Sequence, residues 1–131
     1  MHLNFNLICR IAEKYHLKLL ILFGSNVRGG THQKSDIDLA FYPSKPVDEE
    51  KLYEEFVQAL KREDIDLVNL ATTQNHLIRF EILHTGKVIY EAEKGVKSRM
   101  EWQSYFDYVD FKKYYDWRSE LIGVKLAEVS A

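Results

Sequence analysis

Two aspartates separated by one residue, Asp36 and Asp38, have the spacing needed for metal chemistry. On a β-strand, residues at i and i+2 point to the same face, about 7 Å apart. Two carboxylates at this spacing repel each other, and a shared divalent cation relieves the repulsion. Because the donors are all oxygen, the pair favours Mg²⁺ or Mn²⁺ over zinc. Two such ions can bind both the attacking and the leaving oxygen of a phosphoryl or nucleotidyl transfer.

A Gly-Ser pair strengthens this interpretation, because isolated Asp-x-Asp pairs are also common on solvated strands. Gly24 and Ser25 follow a short apolar run, and ten residues separate Ser25 from Asp36. A flexible backbone and a hydroxyl at the end of a strand can approach phosphate oxygens. A further carboxylate lies on a later predicted strand, where residue type alone leaves Asp64 and Asp66 as alternatives.

Helices and strands alternate in the pattern of the sequence. Short apolar or alternating runs predict strands at residues 19–23, 36–41, 64–70 and 87–91. Helical spacing predicts helices at about residues 3–15, 48–62, 74–84 and 96–117. For the second of these helices, Asp48 suits the N-cap, and Lys61 and Arg62 suit the negative end of the dipole. The order predicts an α/β (α+β) fold, in which a small mixed β-sheet is flanked by helices.

Composition narrows the class of protein. A chain of 131 residues fits one domain, and the formal charge of −2 gives no footprint for direct nucleic-acid binding. Cys9 is the one cysteine, so no internal disulfide forms and a reducing cytoplasm is expected. The N-terminus lacks the pattern of a secretory signal, and no apolar run is long enough to cross a bilayer. We therefore expect a cytoplasmic protein without a membrane partner.

The signature segment resembles that of the polymerase-β-like nucleotidyltransferase superfamily, and in particular the minimal nucleotidyltransferase (MNT) family. The matching residues are Gly24-Ser25, Arg28-Gly29, Ser35 and Asp36-Ile37-Asp38. The resemblance continues through 64–68 and 77–90, and it covers about residues 19–90. It implies a polymerase-β-like nucleotidyltransferase fold and places the third acid directly before an apolar pair, which selects Asp66 over Asp64.

The resemblance also implies what each site residue does. Asp36, Asp38 and Asp66 would be catalytic and would bind two Mg²⁺ ions, with ATP as the substrate. Asp66 would also help to deprotonate the acceptor hydroxyl. The nucleotide would be bound by Gly24, Ser25, Arg28 and Ser35.

Aromatic residues are concentrated near the C-terminus. Eight of the seventeen fall within residues 102–117, on every side of the predicted helix. A helix that packs only against its own domain needs a single apolar stripe, and these aromatic residues are more numerous than such a stripe requires. Tyr and Trp are also enriched at protein interfaces. We expect residues 1–95 to form the nucleotidyltransferase domain and residues 96–131 to be a helical, aromatic-rich extension of the same domain that binds a partner.

The chain leaves few residues to enclose an acceptor, which suggests that another protein supplies it. The MNT resemblance implies a toxin–antitoxin system, in which the enzyme transfers AMP from ATP to a hydroxyl, expected to be a tyrosine, of a HEPN-domain toxin. A heteromeric complex follows. The alternatives are a small-molecule nucleotidyltransferase of the aminoglycoside-modifying kind and a non-catalytic antitoxin that only sequesters its partner.

Overall fold

A computed structural model describes residues 4–24 and 37–121 of the chain. Within these ranges four helices and four strands occur in the predicted order. They are α1 (Phe5–Lys14), β1 (Leu17–Phe23), β2 (Ile37–Pro43), α2 (Glu49–Leu60), β3 (Ile65–Asn69), α3 (His76–Thr85), β4 (Lys87–Glu91) and α4 (Val96–Leu121).

The strands form one mixed sheet in the order β3-β2-β1-β4. β1 is antiparallel to both of its neighbours, β2 and β4. β2 and β3 are parallel, and β3 lies at the edge of the sheet, where it pairs with β2 alone among the described residues. This arrangement brings the end of β1 beside the beginnings of β2 and β3.

Helices cover both faces of the sheet, because successive strand residues point to opposite sides. On one face, Leu20, Leu22 and Leu39 pack with buried residues of α1 and α2. On the other face, Ile21 and Ala40 pack with buried residues of α3 and α4. The predicted fold, a small mixed sheet flanked by helices, is confirmed.

Side-chain caps fix the starts of three helices. The side chain of Asp48 accepts a hydrogen bond from the Lys51 backbone N–H at 3.2 Å, which confirms the predicted N-cap of α2. Asn4 and Asn75 cap α1 and α3 in the same way.

The end of α2 differs from the prediction. The helix stops at Leu60, and Lys61 adopts a left-handed conformation with φ 55°, which terminates the helical hydrogen-bond pattern. Arg62 therefore lies beyond the last turn, where it pairs with Asp64 instead of the helix dipole.

Cys9, on α1, is half-buried. No helix in residues 4–24 or 37–121 has the length and apolar character that a bilayer crossing requires.

Candidate active site

Three positions line up across the sheet where β1 ends. Phe23, the last residue of β1, pairs with Asp38 on β2. Asp38 in turn pairs with Asp66 on β3. Neighbouring strands lie about 4.8 Å apart, so this register brings two carboxylate-bearing residues from distant parts of the sequence side by side.

The two aspartates project from the same face of the sheet. Asp38 shares its side of β2 with Ala40, and Asp66 shares its side of β3 with Val68. Ala40 and Val68 both belong to the cluster that packs against α3 and α4. The pair therefore lies on the α3–α4 side of the sheet, at the end where the apolar packing stops.

Gly24 lies directly against one of these carboxylates. Its φ is +85°, a conformation that side-chain-bearing residues rarely adopt. A Cβ added at this position would come within 2.3 Å of Asp38 Oδ2 and 3.2 Å of Asp38 Cγ. Both the backbone conformation and the close approach of Asp38 therefore require glycine here.

The chemistry of the donors suits a divalent cation. Asp38 is half-buried and Asp66 is exposed, so the two carboxylates repel each other at the boundary between sheet and solvent, and a cation would relieve that repulsion. Carboxylate oxygens are the ligands that Mg²⁺ prefers. The described residues include two of the three predicted ligands, Asp38 and Asp66, and within these ranges no group of three or more His, Cys, Asp or Glu side chains could hold a metal ion.

Four predicted site residues lie outside the described residues. They are Ser25, Arg28, Ser35 and Asp36. Gly24, Asp38 and Asp66 are described, and they occupy one end of the sheet.

Asp64 occupies a different environment from Asp66. It precedes β3 instead of lying on it, and the Arg62 guanidinium donates hydrogen bonds to both of its carboxylate oxygens, one of them from Nε at 2.5 Å. These hydrogen bonds hold the pKa of the Asp64 carboxyl below its usual value. Asp66, and not Asp64, is the acid that pairs with Asp38.

The aromatic residues of α4 are largely exposed to solvent. Tyr108 and Tyr115 are half-buried. The exposed side chains, between 41% and 63% accessible, are Trp102, Tyr105, Phe106, Phe111, Tyr114 and Trp117. The helix thus presents aromatic surface on more than one side.

A cavity of about 370 Å³ between α3 and α4 was not predicted from the sequence. It is lined by Phe80, His84, Glu101, Trp102 and Tyr105. His84 Nδ1 lies 2.9 Å from Glu101 Oε2, which ties the two helices together. Burial raises the pKa of Glu101, but hydrogen bonds from His84 and Lys97 outweigh it and lower the value. The spacing of the aromatic residues on α4 is the one feature of the sequence that points to this cavity. That Phe80 of α3 lines it together with Trp102 and Tyr105 is visible only in the tertiary structure.

The site therefore consists of paired carboxylates at one end of a four-stranded mixed sheet that has helices on both faces. Residues 6–95 match the family described as "Polymerase beta, Nucleotidyltransferase". The chain belongs to the polymerase beta nucleotidyltransferase family, and its enzymatic class is nucleotidyltransferase. A comparison with curated protein sequences gives no match.

Solved structures share the fold over nearly the whole chain. A chain in the crystal structure of a toxin–antitoxin with AMP-PNP is 24% identical, with a TM-score of 0.77 over 98% of this chain and 100% of that one. A chain of a mutant MntA-HpeT toxin–antitoxin is 24% identical, with a TM-score of 0.75 over 99% and 100%. A third chain comes from a tri-AMPylated Shewanella oneidensis HEPN toxin in complex with MNT antitoxin. It is 20% identical, with a TM-score of 0.69 over 97% and 96%.

Proposed function

We propose that this nucleotidyltransferase transfers AMP from ATP to a hydroxyl group, expected to be a tyrosine, of a HEPN-domain toxin. It would thereby act as the antitoxin in the cytoplasm. The observation that carries the proposal is the alignment of Asp38 with Asp66 beside Gly24. Support comes from the shared fold with chains of a toxin–antitoxin containing AMP-PNP and of a complex with a tri-AMPylated HEPN toxin.

Two Mg²⁺ ions would be held by Asp36, Asp38 and Asp66. When bound, Mg²⁺ neutralises charge on phosphate oxygens and makes a coordinated hydroxyl more acidic. The described carboxylates fit this requirement, because Asp38 and Asp66 are adjacent oxygen donors on one face of the sheet.

The side chains of the site would transfer the proton of the acceptor and bind the phosphates. Asp66 is exposed, so it can accept the proton of an acceptor hydroxyl that arrives from solvent. The acceptor oxygen bonds to the α-phosphorus of ATP, the bond from that phosphorus to the bridging oxygen breaks, and pyrophosphate leaves. Gly24 allows backbone to approach the phosphates closely, while Ser25 and Ser35 supply hydroxyl donors and Arg28 balances charge on the leaving group.

The partner would contact the extension formed by residues 96–131. Six exposed aromatic side chains on α4 supply the large, rigid contact area that is typical of interface anchors. A protein partner that brings its own tyrosine needs no acceptor pocket in this chain.

Mass spectrometry of the intact partner tests the proposal. The protein encoded beside this chain is incubated with the chain, Mg²⁺ and ATP, and mass increments of whole AMP units are expected if it is the proposed HEPN toxin. Asp38→Asn and Asp66→Asn should abolish the increments while the complex still forms. Asp48→Asn is the matched control, since asparagine also caps a helix, and it should retain full activity.

Three outcomes would overturn the proposal. An unmodified partner would exclude protein AMP transfer, and transfer to an aminoglycoside in the same assay would identify a small-molecule enzyme instead. Full neutralisation of the toxin by Asp38→Asn and Asp66→Asn would mean that sequestration alone suffices.

A further inference from the structure

The short connection between α2 and β3, residues 61–64, is held by several interactions close to the candidate site. We refer to it as the α2–β3 turn. Arg62 donates to both carboxylate oxygens of Asp64. The hydroxyl of Tyr53 donates to the backbone carbonyl of Glu63 at 2.7 Å. The turn therefore has a defined conformation although it lies on the surface.

This turn is joined directly to β2. The backbone N–H of Ile37 donates to the carbonyl of Asp64 at 2.9 Å. The next pairs along the two strands are Ile37 with Ile65 and then Asp38 with Asp66. Among the described residues, the carbonyl of Asp64 thus accepts the first hydrogen bond of the β2–β3 ladder, one pair before the two acids.

The edge position of β3 makes this bond important. β3 has five residues and, among the described residues, pairs with β2 alone, so the position of Asp66 opposite Asp38 depends on the ladder between these two strands. A bidentate guanidinium–carboxylate pair fixes orientation better than a single hydrogen bond does. Arg62 also balances the charge of Asp64, whose carboxylate would otherwise add to the negative charge beside Asp66.

We propose that Arg62 and Asp64 form a positioning pair, which fixes the α2–β3 turn and thereby the alignment of Asp38 with Asp66 that a divalent cation requires. The inference rests on the proposed function, because it takes these two acids as cation ligands. Neither Arg62 nor Asp64 contacts the cation or the substrate in this scheme. Their effect passes through the Asp64 carbonyl and the first pairs of β2 and β3.

Calorimetric titration with Mn²⁺, in the presence of a non-hydrolysable ATP analogue, tests the inference on the full chain. Arg62→Ala and Asp64→Asn should each weaken Mn²⁺ binding about tenfold, the lower range for residues that support ligands indirectly. Hydrogen exchange at the Ile37 amide should accelerate in both variants. The thermal midpoint should change little, since exposed ion pairs contribute little to stability.

Lys14→Ala is the matched control. It removes another exposed ion pair, with Glu55, and should leave Mn²⁺ binding and Ile37 exchange unchanged. Wild-type Mn²⁺ affinity in both Arg62→Ala and Asp64→Asn would overturn the inference. Asp66→Asn distinguishes failure of the proposed cation site from failure of the positioning role. If this variant also binds Mn²⁺ normally, the proposed site is wrong. If it alone loses Mn²⁺ binding, only the positioning role of Arg62 and Asp64 fails.

Discussion

Replacing Gly24 with alanine would test the tightest contact of the candidate site. The new Cβ would lie 2.3 Å from Asp38 Oδ2, whereas ordinary contacts begin at 3.4 Å. The Asp38 carboxylate must therefore move by about 1 Å or rotate away. Because the φ of residue 24 is +85°, the alanine would also have an unfavourable backbone conformation.

These two effects differ in size. A left-handed conformation costs a non-glycine residue roughly 1–2 kcal/mol, which is small beside a domain stability of about 5–15 kcal/mol. Displacing a catalytic group by 1 Å can lower a rate on the order of 100-fold. We therefore expect Gly24→Ala to remain folded, with a thermal midpoint lower by a few degrees, and the proposed AMP transfer to be about 100-fold slower.

Gly95→Ala provides the matched control. Gly95 also has a positive φ, +98°, but a Cβ there would meet only Arg99 Nη1 at an ordinary 3.4 Å. It should lose similar stability and keep its transfer rate. Initial rates of AMP transfer and thermal melts of both variants make the comparison. Equal rates in Gly24→Ala and the wild type would refute the link between the glycine and the position of Asp38.

Three other perturbations have defined outcomes. Gly86→Ala would bring a Cβ within 2.3 Å of Ile21 Cγ2, and this overpacking should cost about 1–3 kcal/mol in urea unfolding; an unchanged midpoint would contradict it. The hydrogen bond to Glu55 raises the pKa of Tyr15 to about 12. Between pH 10 and 12 the folded state retains a proton that the unfolded state loses, so stability should fall as pH rises, and Glu55→Gln should flatten that slope in pH-dependent melts. Trp117 is 63% exposed, so Trp117→Ala should weaken calorimetric binding of the proposed HEPN partner by about 2 kcal/mol at unchanged melting temperature, and unaltered affinity would argue against α4 as the interface.

Local patterns were sufficient to predict most of the elements. The apolar run before Gly24 and the alternation after Asp36 predicted β1 and β2, because burial on a sheet imposes a period of two. Asp48 predicted the start of α2, because its side chain satisfies a backbone N–H that the helix leaves unpaired. The family resemblance also selected Asp66 over Asp64, which remains a prediction for catalysis.

Local sequence patterns did not predict where α2 ends, because that boundary depends on interactions formed after the helix. Lys61 and Arg62 looked like the last turn of α2, since basic residues suit that position. The pairing of Arg62 with Asp64 and the left-handed Lys61 instead end the helix at Leu60. As a result Asp64 precedes β3, although the strand was predicted to begin at residue 64.

Helices and strands and their order could be predicted from the sequence because they depend on neighbouring residues, and the acids named as cation ligands remain predictions. Tertiary structure decided which acids meet. The parallel register of β2 and β3 places Asp66 beside Asp38, and Gly24, directly after β1, lies against the Asp38 carboxylate. It also decided that most aromatic side chains of α4 face solvent, because α3 is too short to cover a helix of 26 residues.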